Sequence, residues 1–264
     1  MNERTLRESV ADCARLLHAR GWVANHDGNV TARVSNERFL ATPTALSKAR
    51  VTGDNLLVVD ARGEKIAGAA KPFGEVGLHM TVYRHRADVR AVVHAHPPCA
   101  SALACAGSRL LERPFMPEAV VSLGATIPTV PLAPPGAAAC DALAPFVVQA
   151  DAVLLQNHGV LSWGDDVEQA YLRMELVEHL AKIALEAERV GGVKALPDSV
   201  LSSLLEARRK AGLGLAQKPA PRVVACAPPP TDAPVEIVTP RPEVAVQQLE
   251  SVIREEIVRA LSKK

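Results

Sequence analysis

His94-Ala95-His96 stands at the exit of an apolar run, Val89-Arg90-Ala91-Val92-Val93. In an extended strand, side chains two residues apart point to the same side, so these two imidazoles can converge on one point. Pro97 and Pro98 follow at once. They stop the strand and leave the pair at an edge, where a site can open. A second apolar run, Ala152-Val153-Leu154-Leu155, leads into Asn157-His158-Gly159 and offers a third imidazole at a similar strand end. Three neutral imidazoles with one open position form the ligand set of a catalytic zinc ion or a comparable transition metal. A single histidine in such a place is more often a satisfied core side chain, and His158 alone would read that way. The H-x-H spacing ahead of a proline pair is what points to a metal. The remaining histidines, His18, His26, His79, His85 and His179, lie in helix-like or polar stretches and read as surface or packing residues.

The elements that would carry these residues follow from periodicity. Leu6, Val10, Cys13, Leu16 and Leu17 recur at helical spacing up to Ala19, and Gly21 ends the pattern. Residues 29–34 and 39–41 predict short strands around the polar turn Ser35-Asn36-Glu37, and Leu56-Leu57-Val58-Val59 predicts another, closed by the hairpin-type turn Asp60-Ala61-Arg62-Gly63. A helix is expected over 75–86, with Val76, Met80 and Tyr83 on one stripe, and an alanine-rich helix over 100–106. Short extended pieces are expected over 120–130, a helix over 136–148, and a long amphipathic helix over 167–190 opened by Asp165-Asp166. Strands and helices interleave, which predicts a layered α/β domain.

Composition narrows the class. The 264 residues are 48% hydrophobic, enough for a sizeable core plus an appendage. A net charge of +1 and 3% aromatics argue against a nucleic-acid or acidic-membrane partner. There is no apolar stretch long enough to span a membrane and no signal-peptide pattern at Met1-Asn2-Glu3-Arg4. Cys13, Cys99, Cys105, Cys140 and Cys226 are odd in number without C-x-x-C spacing, and read as reduced, mostly buried residues of a cytoplasmic protein.

Three further stretches join the histidines. Gly28-Asn29-Val30-Thr31 is a glycine-led turn into a strand, where backbone N–H groups and the Asn29 amide could hold an anion. Thr42-Pro43-Thr44-Ala45 is a turn with a hydroxyl, and Lys71-Pro72-Phe73-Gly74-Glu75 opens a helix with a carboxylate in its first turn. In order, G-N-V-T, T-P-T-A, K-P-x-x-E, H-A-H-P and N-H-G resemble the class II aldolase/adducin family over about residues 5–190. The resemblance implies a three-layer α/β/α fold around a mainly antiparallel sheet and a homotetramer with sites at subunit interfaces. It also implies one zinc ion per subunit, or another divalent metal, held by His94, His96 and His158. Glu75 would be the acid/base, and Gly28, Asn29, Thr44 and Gly74 would form the phosphate pocket.

The activity so implied is cleavage of a deoxyketose 1-phosphate, L-fuculose or L-rhamnulose 1-phosphate, to dihydroxyacetone phosphate and lactaldehyde. A sugar-phosphate 4-epimerase, dehydratase or decarboxylase is the alternative on the same site, and a non-catalytic adducin-like interaction protein is a more distant one. Lewis-acid stabilisation of the developing negative charge would contribute several kcal/mol. Water-poor surroundings would raise the Glu75 pKa to a value useful for proton transfer. The chain departs from the pattern where the aldolases carry two serines, here Phe73 and Gly74, at Ala45 in place of a glycine, and at Phe115 in place of a tyrosine. Two lost hydroxyl donors weaken phosphate recognition by about 0.5–1.5 kcal/mol each, with Lys71 or Lys48 as compensating charges.

The expected organisation is a catalytic domain over 1–213, a proline-rich linker over 214–242 and an amphipathic helix over 243–264. Val246, Leu249, Val252, Ile253, Ile257 and Leu261 form the apolar stripe of that helix. A helix of this length is marginal alone. The tail resembles the encapsulation peptides that tether enzymes inside bacterial microcompartments, which implies a shell protein as partner. Docking on its own tetramer is the alternative.

Overall fold

The computed structural model describes residues 2–214, and the expected linker and amphipathic segment from residue 215 onward lie outside the described residues. The chain opens with α1 (Glu3–Ala19), whose N-cap Asn2 accepts a hydrogen bond from the Thr5 amide at 2.8 Å, a cap worth about 1 kcal/mol. Strands β1 (Asn29–Arg33), β2 (Phe39–Ala41), β3 (Leu57–Val59) and β4 (Lys65–Ala67) follow, then α2 (Val76–His85), β5 (Ala91–Ala95) and α3 (Pro98–Cys105). The second half contains α4 (Pro117–Leu123), β6 (Thr129–Val130), α5 (Ala137–Val147), β7 (Ala152–Leu155), β8 (Val160–Gly164), α6 (Val167–Glu188) and α7 (Asp198–Lys210).

The eight strands form one sheet in the order β4-β3-β2-β1-β5-β8-β7-β6, antiparallel except for the β6–β7 pair. Side-chain alternation sends Val30, Ala32, Val93 and Ala95 into one core with α1, α3 and α6. It sends Phe39, Ala41, Val92 and Val153 into a second core with α2 and α5. The architecture is therefore α/β/α around a mainly antiparallel sheet. α6 supplies the longest apolar stripe, Val167, Ala170, Met174, Val177, Ala181 and Ala184, and its N-cap Asp166 accepts from the Gln169 amide at 2.7 Å.

Several local expectations change. Residues 117–123 are helical, not extended, because Pro117 sits at the first helical position and Ala119, Val120 and Leu123 turn one face to the core. α7 has no counterpart among the expected helices; Leu201, Leu204 and Leu205 are half-buried on the face that carries Arg208, its single buried side chain. Of the four cysteines described, Cys13 alone is buried, and Cys105 is exposed. Among the described residues no helix is long and apolar enough to cross a membrane.

Candidate metal centre

Three elements of the sheet bring the histidines together. β1 pairs with β5 so that Asn29 lies opposite His94, and β5 pairs with β8 so that Ala95 lies opposite Val160. The β7–β8 turn, held by the His158 amide on the Leu155 carbonyl at 3.0 Å and by Asn157 at φ +58°, thus arrives beside the exit of β5. The rings of His94, His96 and His158 lie 4.7–4.9 Å apart between centroids. One nitrogen from each falls within 4.8 Å of the others. Such a set can hold a metal ion.

The His94 Nδ1 lies 2.9 Å from the Val160 carbonyl oxygen. A carbonyl only accepts, so Nδ1 carries the proton and the Nε2 lone pair faces the cluster. That Nε2 is 3.1 Å from His96 Nε2. Burial pushes the His94 pKa down to about 4, and burial first and the charge of His158 second lower that of His96. Both rings are neutral, the form a ligand needs.

Glu75 completes the group. It is the N-cap of α2 rather than a first-turn residue, and its side chain makes no hydrogen bond to its own helix. Its Oε1 lies 3.0 Å from His158 Nε2, and its Oε2 lies 3.4 Å from His94 Nε2 and accepts from Asn29 Nδ2 at 3.0 Å. Burial alone would raise its pKa. The hydrogen bonds with His158 and with the Asn29 donor outweigh it and hold the carboxyl below the usual carboxylate range. The expected upward shift is therefore reversed, because polar partners crowd a group that was expected in water-poor surroundings.

The other expected site residues divide. Gly28, at φ +71°, packs so tightly that a Cβ there would lie 2.3 Å from Val23 Cγ1 and 3.1 Å from the His94 carbonyl oxygen. Asn29 turns its amide to Glu75. Thr44 and Gly74 make no hydrogen bond to the cluster among the described residues, though the Thr44 amide donates to the Lys71 carbonyl at 3.2 Å and so ties their two loops together. Phe73 is buried and meets the His79 ring edge to face at 5.1 Å. Lys48 is 2% exposed, its Nζ donating to the carbonyls of His26 and Leu46 at 2.9 and 3.1 Å. Two participants had no signal in the pattern. They are the Val160 carbonyl, which is backbone, and Asp27, whose Oδ2 lies 3.8 Å from His96 Nδ1.

Comparison with known proteins gives the chain its relatives. The model of the Class II Aldolase and Adducin N-terminal domain matches residues 8–185. The chain is 34% identical to the 3-oxo-tetronate 4-phosphate decarboxylase of Escherichia coli (strain K12), over 69% of this chain and 86% of that protein. It is 31% identical to the L-fuculose phosphate aldolase of Methanococcus maripaludis (strain S2), over 67% of this chain and 94% of that one. The crystal structure of YgbL from Escherichia coli superposes with a TM-score of 0.71 at 30% identity, covering 77% of this chain and 99% of that chain. The match spans both cores, the sheet and all three histidines, and the chain belongs to the class II aldolase and adducin family.

Proposed function

We propose that this protein is a divalent-metal-dependent carbon–carbon lyase for a phosphorylated sugar or sugar acid, with decarboxylation of a 3-oxo sugar-acid phosphate as its reaction. The observation that carries this reading is the pairing of three convergent imidazoles with a single acidic side chain. Among the described residues, Glu75 is the one carboxylate with oxygens within hydrogen-bond reach of those rings. The donor set fits a cation. The His94 proton is committed to Val160, its Nε2 lone pair faces the cluster, and burial keeps His94 and His96 unprotonated. His94, His96 and His158 would hold the ion, and an all-nitrogen set of this size suits zinc. When bound, it supplies Lewis-acid stabilisation of the negative charge that develops on the substrate's carbonyl oxygen.

The proton inventory separates the candidate reactions. In a 3-oxo acid the C1–C2 bond breaks, carbon dioxide leaves, the electron pair stays on the substrate, and one proton must then reach C2. Glu75, ionised and anchored by Asn29, draws that proton from water and passes it to C2. Aldol cleavage needs two transfers, one off a hydroxyl and one onto carbon. Phe115, standing where the resemblance expects a tyrosine, has no hydroxyl to relay the proton that leaves the substrate. The similarity to a 3-oxo-tetronate 4-phosphate decarboxylase supports the same choice.

A second reading is aldol cleavage of L-fuculose or L-rhamnulose 1-phosphate. Asp27, 3.8 Å from His96, favours it as a second carboxylate, as does the similarity to an L-fuculose phosphate aldolase. Zinc as the native metal and a homotetramer as the assembly belong to both readings and rest on the family resemblance.

The test incubates the zinc-loaded full chain with 3-oxo-tetronate 4-phosphate and, separately, with the two ketose phosphates. Carbon dioxide release that a chelator abolishes and zinc restores supports decarboxylation. Lactaldehyde release selects the second reading. Absence of turnover on all three, with no metal retained after loading, sinks both.

A further inference from the structure

Glu75 stands at the start of a helix whose far end is tied to β1 by Arg33 Nη2, donating to the Tyr83 carbonyl at 3.0 Å. The apolar stripe of α2 packs against the sheet without directionality, and the Glu75 carboxylate makes no bond to its own helix. Directional contacts between α2 and β1 form a ladder. Asn29 and Thr31 are two apart on β1 and share a face. Glu75, His79 and Tyr83 are four apart and share a face of α2. Asn29 Nδ2 donates to Glu75 Oε2 at 3.0 Å, Thr31 Oγ1 lies 2.8 Å from His79 Nδ1, and the same oxygen lies 2.9 Å from the Tyr83 hydroxyl. Thr31 and His79 are fully buried and Tyr83 is 5% exposed.

Proton accounting gives the ladder a direction. Thr31 has one proton to place between two neighbours. If His79 donated from Nδ1, either Thr31 would donate to Tyr83 and strand the buried Tyr83 proton, or Tyr83 would donate to Thr31 and strand the Thr31 proton, and in both the His79 Nε2 lone pair stays unpaired. If Tyr83 donates to Thr31 and Thr31 to His79 Nδ1, both hydroxyl protons are used. The one group left over is the His79 Nε2–H, which has no hydrogen-bond partner among the described residues. Phe73 meets that ring edge to face at 5.1 Å with 64° between planes, and an aromatic ring in such an arrangement can receive an N–H. Burial favours the neutral ring, with the His79 pKa pushed down to about 3.

We propose that Thr31 and His79 are positioning residues for Glu75. The chain Tyr83 to Thr31 to His79, capped by Phe73, locks α2 onto β1 and thereby sets where the carboxylate stands. This rests on reading Glu75 as the proton carrier of the reaction.

The test uses the zinc-loaded full chain and the variants Thr31→Val, Thr31→Ser and Glu75→Gln. Nitrogen-15 NMR of the histidine rings should show His79 as the Nε2–H tautomer. On whichever substrate is turned over in the assay above, Thr31→Val should lower kcat at least tenfold with KM within twofold and zinc content unchanged. Thr31→Ser, which restores the hydroxyl, should recover kcat to within threefold of the parent. An Nδ1–H tautomer, a wild-type kcat in Thr31→Val, or a serine variant as impaired as the valine variant would each overturn the proposal. Inactive Glu75→Gln beside fully active Thr31→Val would sink the ladder alone. Active Glu75→Gln would sink the reading of Glu75 itself, and with it the positioning role, while the tautomer still reports whether the hydrogen-bond chain exists.

Discussion

Gly159 gives the sharpest test of how the centre is assembled. It follows His158 in the β7–β8 turn, and a methyl group built on its Cα would sit 2.5 Å from the Ala95 carbonyl oxygen and 2.5 Å from His96 Cδ2. Non-bonded carbon contacts settle near 3.5–4.0 Å, so the turn or the His96 ring must retreat by roughly 1 Å in Gly159→Ala. Both neighbours belong to the cluster. Ala95 separates two of the histidines, and His96 is one of them. Functional constellations of this kind tolerate about 0.5 Å of displacement. The variant should therefore bind zinc at least tenfold more weakly, about 1.4 kcal/mol, with a further loss of about 1–3 kcal/mol of fold stability from overpacking. Gly74→Ala is the control, because a methyl group there meets nothing within 4 Å; its zinc affinity and melting temperature should match the parent. Zinc affinity is read by competition with a chromogenic chelator, and stability by calorimetry of the metal-free protein. A folded Gly159→Ala protein that binds zinc as tightly as the parent would refute the argument that close approach at this glycine aligns His158 with His96.

Three other outcomes are expected. Glu75→Gln should retain zinc, since the three rings are untouched, while kcat falls by roughly 10²–10⁴, the usual contribution of a positioned acid/base; metal analysis alongside steady-state kinetics checks both halves. Asp151, 1% exposed, accepts from Arg86 at 2.9 Å and from Arg208, and forms an ion pair with Arg173 at 2.9 Å. Asp151→Asn leaves three buried guanidiniums around a neutral group and should cost about 3–5 kcal/mol in urea unfolding, and an unchanged midpoint would contradict the role of that cluster. Burial pushes His79 down to about 3 and His94 to about 4, against about 6.5 in an unfolded chain. The unfolded state binds more protons over that interval, so stability rises with pH there. The metal-free protein should lose stability as pH falls from about 6.5 towards 4, and a urea midpoint that stays flat between pH 7 and 5 would rule out neutral buried rings.

The legible part of this molecule was the part governed by local period. His94 and His96 share a side because a strand alternates, and the prolines behind them end the strand, so that pair could be read from residue types alone. The convergence of His158 is a different kind of fact. It depends on β8 pairing with β5 while β7 lies beyond β8, and no local pattern in residues 152–164 states that order; the ordered motifs of the family had to supply it. The misreadings have local causes. Within the β-branched stretch 120–130, Thr129–Val130 is the strand expected there, but residues 120–123 are helical because Pro117 starts a helix that packing then completes. α7 has a short apolar period, Leu201, Leu204 and Leu205, too brief to stand out in the sequence; what no period could show is its ionic hold, Arg208 reaching Asp151 and the Val121 carbonyl. The sign of the Glu75 shift was lost for a related reason. The alternatives were burial, which raises a carboxyl pKa, and donors, which lower it, and only coordinates count the donors.

Phe73 shows how a departure from a family pattern can be misread when considered as a deletion. From the sequence it is a lost hydroxyl, a subtraction from phosphate recognition. In the fold it is turned away from the loop surface, 7% exposed, with its ring against His79. The side chain at position 73 is thus committed to the residue one turn along α2 from Glu75. Position 74, exposed and open on all sides of its missing Cβ, is where a hydroxyl could be returned without disturbing that contact. Gly74→Ser should therefore tighten KM for a phosphorylated substrate by roughly two- to tenfold, the equivalent of one neutral hydrogen bond, while Phe73→Ser should lower kcat by loosening the ladder. Steady-state kinetics on the two single variants separates the effects. A kcat loss in the first and a KM gain in the second would show that binding and positioning are not divided between these neighbouring residues in the way the structure indicates.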